Sequence, residues 1–375
     1  MAVIKRVRLS EIAELVTKGT TPTTLGYEFQ DTGVNFLKIE CFSEKGDYIQ
    51  NKATHISEEC HEKLKRSQLK EGDILFSIAG VIGRVAIVTR NMLPANINQA
   101  LAIIRIKKDD IYLPYVKLIL TSPLIKKQFE RKKQGVAQLN ISLKDINDLE
   151  IPLPEISKQI EYANSFKKVE KLIYTRQYQL QKLDELVKAR FVEMFGDRYV
   201  NDKNWNTTKL GNSISFNNGK AHEQIVDENG EYILVTSRAI ASNFKDVRRT
   251  NELLSPLRKD DIVMVMSDVP NGRALAKCQL IKDNNKYTLN QRICSFDNYN
   301  YNPVFLLFLL SRHPYFLSFN DGNGQTNLRK NDILDCELID PPIELQEQFA
   351  DFVSQVDKSK LSKYYICRYA CRHNS

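Results

Sequence analysis

From Glu155 to Phe195 the chain carries apolar residues at Ile156, Ile160, Ala163, Phe166, Val169 and Ile173, then at Leu180, Leu183, Val187, Phe191 and Met194. Steps of mostly three and four place them on one face of a helix. Pro152 and Pro154 precede the run and Gly196 closes it, the order expected at a helix start and stop. Such a helix is about 60 Å long, well beyond the usual length, and its stripe needs a partner surface. On either side the pattern shortens. Apolar runs at Val34–Ile39, Asp73–Ile78, Val85–Val88 and Leu101–Ile106, punctuated by glycine, predict strands. Tyr112–Leu120 and Pro123–Gly135 predict helices, and Val7–Leu15 a strand end with a short helix capped by Ser10.

The same events recur beyond Gly196. Thr208–Phe216 resembles the opening segment, Asp261–Met266 the run after Gly72, and Asn290-Gln291 the pair Asn98-Gln99. Aligning Gln138–Gln159 with Gln325–Gln346, a shift of 187 residues, gives nine identities in 22 positions. They include Gln138/Gln325, Asn140/Asn327, Asp145/Asp332 and Gln159/Gln346. Chance supplies roughly one or two, so the chain reads as two copies of one domain rather than a solenoid. Past Pro342 the second copy continues as IELQEQFADFVSQVDKSK, amphipathic in the register of the first helix. Two such helices predict an antiparallel coiled coil that hides both stripes and fixes the spacing of the halves.

The expected fold is therefore α+β: two tandem α/β domains, each followed by a long helix. The expected boundaries are 1–154 and 197–341 for the domains, 155–196 for the central helix and 342–362 for the distal one. Residues 363–375 form a divergent tail, because the match to Glu155–Phe195 would run on to position 382. The distal helix thus looks truncated. Leu180–Phe195 is then expected to be underpaired and open to another subunit, with Leu180, Leu183, Val187, Phe191 and Phe195 as the interface.

Charge and composition narrow the classes. A net charge of +8 admits a polyanionic partner without demanding one. The longest apolar run, Val304–Leu310, is too short for a membrane span, and MAVIKRVRLSEIAEL lacks a signal-peptide core. Seven scattered cysteines read as reduced thiols in a cytoplasmic protein. Cys41, His55, Cys60 and His61, like the tail cluster Cys367, Cys371 and His373, lack paired metal-ligand spacing, so no metal is expected. Asp340-Pro341-Pro342-Ile343 resembles the base-holding loop of amino-methyltransferases but lacks its aromatic residue, and the repeat makes this place a strand-to-helix joint. Gly322-x-Gly324 is too short for a dinucleotide fingerprint, and there is no phosphate-binding lysine motif. No catalytic residues are expected.

Nucleic-acid binding has more behind it. Lys126, Lys127, Arg131, Lys132 and Lys133 fall in one predicted helix, where Lys127 and Arg131 share a face suited to phosphates. A solvated basic face is the competing reading. Polar loops supply Lys18, Arg84, Gln99, Gln138 and Asn140 in the first half. The second half supplies Lys220, Arg238, Arg273, Gln291, Arg292, Gln325, Asn327 and Arg329. Arginine suits guanine, and glutamine or asparagine suits adenine, in the major groove. The repeated Gln138/Gln325 and Asn140/Asn327 fit equally well as turn residues bonding backbone, or as a shared subunit interface.

Several ordered segments resemble the specificity (S) subunit of type I restriction-modification systems. They are LSEIAELVTKGTTP from Leu9, EGDILFSIAGVIGRVAIV from Glu71, NINQALAIIRI from Asn96, and IPLPEISKQ leading into KLDELVKARFVEMFGD. The resemblance implies two target-recognition domains, each reading one half of a bipartite double-stranded DNA site. It implies methyltransferase subunits using S-adenosylmethionine and a restriction–translocase subunit using ATP and Mg, so that this chain holds no cofactor itself. The shortened distal helix departs from the family pattern. It leaves open a solitary DNA-binding or assembly-modulating protein, and a self-contained methyltransferase or nuclease stands as a third reading.

Overall fold

The computed structural model describes residues 5–107, 110–131, 141–222, 225–269, 272–322 and 324–372, with side chains of the last helix described as far as Lys360. The chain divides into two compact units, 1–174 and 175–375, with the division inside the long helix.

In unit 1, strand β1 (Arg6–Arg8) leads through the single turn α1 (Leu9–Ile12) into β2 (Ala13–Lys18). There follow β3 (Val34–Leu37), β4 (Thr54–Ile56), α2 (Glu58–Lys63), β5 (Ile74–Ser77), β6 (Val85–Ile87), β7 (Ala95–Ile97) and β8 (Leu101–Ile106). Helices α3 (Leu113–Leu120), α4 (Pro123–Arg131) and α5 (Leu143–Asn147) precede β9 (Glu150–Pro152) and the long helix α6 (Ile156–Phe195). The start of α1 differs from expectation. Arg8, not Ser10, is the N-cap, because the Glu11 carboxylate accepts the Arg8 N–H at 2.9 Å.

Strands β2-β8-β5-β6 form one antiparallel sheet and β4-β3-β7 a second, in which β3 and β7 are parallel. The run Ile74-Leu75-Phe76 is apolar throughout because both faces of its sheet are covered. Ile74 and Phe76 join Val116, Leu120, Ile125 and Phe129 from α3 and α4, whereas Leu75 joins Leu37 and Ile97 from the second sheet. Arg105 holds the buried Asp73 carboxylate at 2.7 Å beside this layer. The ends of its globular part meet: β1 pairs antiparallel with β9, Arg6 opposite Pro152.

Unit 2 repeats this plan. Its strands are β10 (Thr207–Lys209), β11 (Ser215–Asn218), β12 (Tyr232–Val235), β13 (Arg248–Thr250), β14 (Ile262–Val265), β15 (Ser267–Asp268), β16 (Cys278–Leu280), β17 (Tyr287–Leu289), β18 (Ile293–Asp297), β19 (Thr326–Asn327) and β20 (Glu337–Ile339). Its helices are α7 (Ser237–Ala241), α8 (Pro303–Leu310), α9 (Pro314–Leu317), α10 (Lys330–Leu334) and α11 (Ile343–Arg372). The sheets β11-β18-β14-β16 and β13-β12-β17, and the clasp β10–β20, match those of unit 1 strand for strand.

The duplication extends to single atoms. Gln159 accepts the Tyr112 N–H at 2.9 Å and donates to the Pro154 carbonyl at 2.8 Å. Its counterpart Gln346 accepts the Asn302 N–H at 2.9 Å and donates to the Pro341 carbonyl at 2.8 Å. Each buried glutamine thus caps the start of an apolar helix (α3 or α8) and fastens it to the strand-to-helix joint. Asp340-Pro341-Pro342 is that joint in unit 2, running from β20 into α11.

Within unit 2 the last turns of α6 run antiparallel to α11. Phe195 and Phe191 both contact Phe349 edge-on, the Arg190 guanidinium lies over Phe352, and Asp184 pairs with Lys360 at 2.8 Å. Phe191 also stacks on Phe305 and Phe308 of α8. This corrects two expectations. The stretch Leu180–Phe195 is not open: Val187, Phe191 and Phe195 are buried and Leu183 is partly buried against the same core, with Leu180 half-exposed. In an antiparallel pair the start of α11 meets the end of α6, so shortening the far end of α11 cannot uncover that stretch. The exposed part of the stripe lies instead in the first half of α6, at Ile160, Phe166, Val169 and Ile173. The second correction concerns length. α11 continues to Arg372, ten residues beyond the expected limit of 362, as a tail without glycine or proline allows.

Candidate nucleic-acid interface

In each unit several strands end at one pole, and backbone hydrogen bonds tie the segments that leave them into a continuous surface. In unit 1 the Gly19 N–H donates to Leu101, Asn98 to Leu37, Ile78 to Ala100 and Ile141 to Ile78. In unit 2 Gly219 donates to Ile293, Asn290 to Val235, Met266 to Arg292 and Leu328 to Met266. Glycine is required at the first position of each series. A Cβ on Gly19 would collide with the carbonyls of Ile97 and Asn98, and one on Gly219 with those of Asn290 and Leu289.

The sequence-derived residues distribute unevenly over these poles. In unit 1 Lys18 is exposed at the end of β2, and Gln99 is exposed opposite it, accepting the Thr21 hydroxyl. Lys127 is exposed on α4, whose Ile125 and Phe129 face the core. Arg84 is a correction. It is half-buried and its guanidinium donates to the carbonyls of Ile39 at 3.2 Å and Phe42 at 2.8 Å, so it staples a loop and does not face outward. Arg131 closes α4, its side chain undescribed, while Lys132, Lys133, Gln138 and Asn140 lie outside the described residues.

In unit 2 Lys220, Arg273, Gln291, Arg292, Asn327 and Arg329 are all exposed at the pole. Asn327 sits opposite Ser267 in the short β15–β19 ladder. Gln325 donates its amide to the Ser267 hydroxyl at 2.5 Å, a side-chain bond between segments distant in sequence and not the backbone turn contact expected as the alternative to base reading. Arg238, on α7 next to the end of β12, is exposed but shares its charge with Asp246 at 3.7 Å. Such exposed pairs are weak and break readily.

Three supporting residues escaped the sequence reading. The Lys38 ammonium, just past β3, lies 4.6 Å from the centre of the Phe29 ring, a cation–π contact. His222 is buried beneath Lys220. Its Nδ1 lies 2.7 Å from the Lys220 carbonyl, which can only accept, so Nδ1 carries the proton and Nε2 accepts the Thr288 hydroxyl at 3.0 Å. Asp268 gathers the N–H groups of Val269, Ala274 and Leu275 at 2.7–3.1 Å, folding the loop that carries Arg273. Histidine and aspartate in polar loops carry no periodic signal, and only a partner distant in sequence gives them a role. Among the described residues no group of His, Cys, Asp and Glu is placed to hold a metal ion, and no helix is long and apolar enough to cross a membrane. Cys60 is buried, and His61 bonds Asn96 at 2.5 Å.

Two matching α/β parts, each with a loop-built polar pole and each followed by a long helix, place the chain in the class of tandemly duplicated domain-plus-helix proteins. The model of the type I restriction modification DNA specificity domain matches residues 3–185 and again 202–364, and the chain belongs to that family. The specificity subunit of the type I restriction enzyme EcoBI of Escherichia coli is 32% identical over 131 residues, covering 34% of this chain. The match spans 27% of that relative's length. Among solved structures, a chain from work on complex assembly and conformational transition of the type I R-M system has a TM-score of 0.66 at 14% identity, over 98% of this chain and 94% of that one. The S subunit of the type I restriction-modification system of M. genitalium has a TM-score of 0.54 at 13% identity, over 97% of this chain and 92% of that one. These likenesses concern the fold.

Proposed function

We propose that this chain is the sequence-reading, non-catalytic component of a type I restriction-modification complex in the cytoplasm. Each unit reads one half of a bipartite double-stranded DNA site through its pole, and the long helices set the gap between the halves. Exposed lysines such as Lys18, Lys127 and Lys220 contact phosphates and give salt-dependent affinity, while Gln99, Gln291, Arg292, Asn327 and their neighbours give sequence choice. Methyltransferase subunits bring S-adenosylmethionine, and a restriction–translocase subunit brings ATP and Mg. The observation that carries this reading is the family match falling twice in succession, over residues 3–185 and 202–364.

The test is an exchange. Residues 219–329 are replaced by the corresponding segment of another specificity subunit, and methylated adenines are mapped across the genome with each version. One half of the methylated motif should change while the other half and the spacing stay. A change in both halves would sink the two-reader model. Copurification of the tagged chain from its native cells should recover methyltransferase subunits; their absence from a stable complex would favour a solitary DNA-binding protein.

A further inference from the structure

The poles share one feature that polar chemistry does not explain. The loop between β5 and β6 carries Val81, and the loop that links β14 and β15 to β16 carries Val269. The shift that places Ile78 on Met266 also places Val81 on Val269. Both valines are exposed, at 56% and 64%, and neither belongs to a buried cluster.

The two loops reach this result by different means. In unit 1 the Ser77 hydroxyl donates to the Val81 carbonyl and accepts the Arg84 N–H at 3.0 Å, while Gly83 N–H donates to the Ser77 carbonyl at 3.1 Å. In unit 2 the Asp268 carboxylate accepts the Val269 N–H at 2.9 Å, and the Val269 carbonyl accepts the Gly272 N–H at 2.9 Å. A single exposed valine is ordinary. The same apolar side chain, held on hydrogen-bonded loops of unlike build at one topological position, points to a shared task. Each valine follows by three residues a backbone bond that ties its loop to the polar segments of its pole. Ile78 bonds the carbonyl next to Gln99, and Met266 bonds the carbonyl of Arg292.

On the reading given under Proposed function, we propose that Val81 and Val269 are sequence-determining residues that receive the 5-methyl group of thymine, one in each half-site. That methyl is the apolar feature of the major-groove base edges. Burying one such group is worth about fourfold in affinity. Val81 and Val269, each held by a hydrogen bond to its own backbone, give up little freedom on contact.

The experiment uses the tagged full chain, isolated from its native cells with whatever it holds, to select from a pool of random DNA duplexes. Val81→Ala should erase a thymine preference in one half of the enriched motif, and Val269→Ala in the other half only. Deoxyuridine in place of that thymine should weaken wild-type binding about fourfold and leave the matching variant indifferent. Both variants should keep the wild-type unfolding temperature. Unchanged motifs with unchanged deoxyuridine sensitivity would overturn the proposal, as would an equal loss of affinity for every sequence. A wild-type chain that enriches no motif would overturn the functional reading beneath it.

Discussion

Gln159 and Gln346 illustrate what a residue can disclose before its surroundings are seen. Their identity at equal places in the repeat was visible in the sequence, but their task was not. Each closes a contact across more than forty residues, to Tyr112 or Asn302, and no local pattern records such a reach. Both are buried, so replacing either by leucine strands a helix-start N–H. Gln159→Leu and Gln346→Leu should each lower stability by about 1–3 kcal/mol, read from urea unfolding. Arg84 teaches the converse. As an arginine in a glycine-rich loop it suits base recognition, yet two carbonyls of a distant loop claim it. His313 gives a pH test. Burial, and then the Arg198 guanidinium, push its imidazole down from 6.5 to about 4. The unfolded chain takes up this proton near pH 6.5 and the folded chain only near 4. Stability from this site is therefore complete above about pH 6.5 and is lost as the pH falls towards 4, by up to about 3 kcal/mol. In His313→Gln the urea midpoint should fall less steeply across that window.

At the level of elements, periodicity located α6 almost to the residue, because forty residues of stripe leave little room for another reading. It could not assign which half of the stripe is covered. That depends on the direction of α11 and on aromatic packing against α8, neither of which leaves a mark within α6 itself. The cluster of Phe191, Phe195, Phe305 and Phe349 should behave as one body. Phe191→Ala and Phe349→Ala should each cost about 3–5 kcal/mol, and the double substitution less than their sum. On the first half of α6 the expectation is opposite. Phe166→Ser and Val169→Ser, on exposed positions, should shift stability by no more than about 0.5 kcal/mol. A large loss measured by the same unfolding assay would mean that this face is already packed.

For the whole molecule, the fold class and its duplication were legible because a shift of 187 residues preserved polar residues as well as apolar ones. The poles were legible only as a set of residue types. Loops of different length and chemistry meet there, and their side chains acquire positions through backbone bonds that span the chain. The surplus of eight positive charges leads to a prediction about salt. Removing any one of Lys18, Lys127 or Lys220, the lysines proposed to contact phosphates, should reduce the slope of log affinity against log salt by about 0.9, while the preferred sequence stays the same. A fluorescence anisotropy titration from low to moderate salt reads both quantities, and a changed preference would move that lysine among the base readers.

The clasps β1–β9 and β10–β20 carry a consequence for inheritance. Arg6 lies opposite Pro152, and Thr207 opposite Ile339, so the chain enters and leaves the globular part of each unit side by side. A segment with neighbouring ends can be replaced as a cassette without disturbing what flanks it. Recombination between related genes at these two joints would install a foreign pole in one step and keep the helices that carry Gln159 and Gln346. A new specificity would arise by crossover, without an accumulation of point changes in the loops.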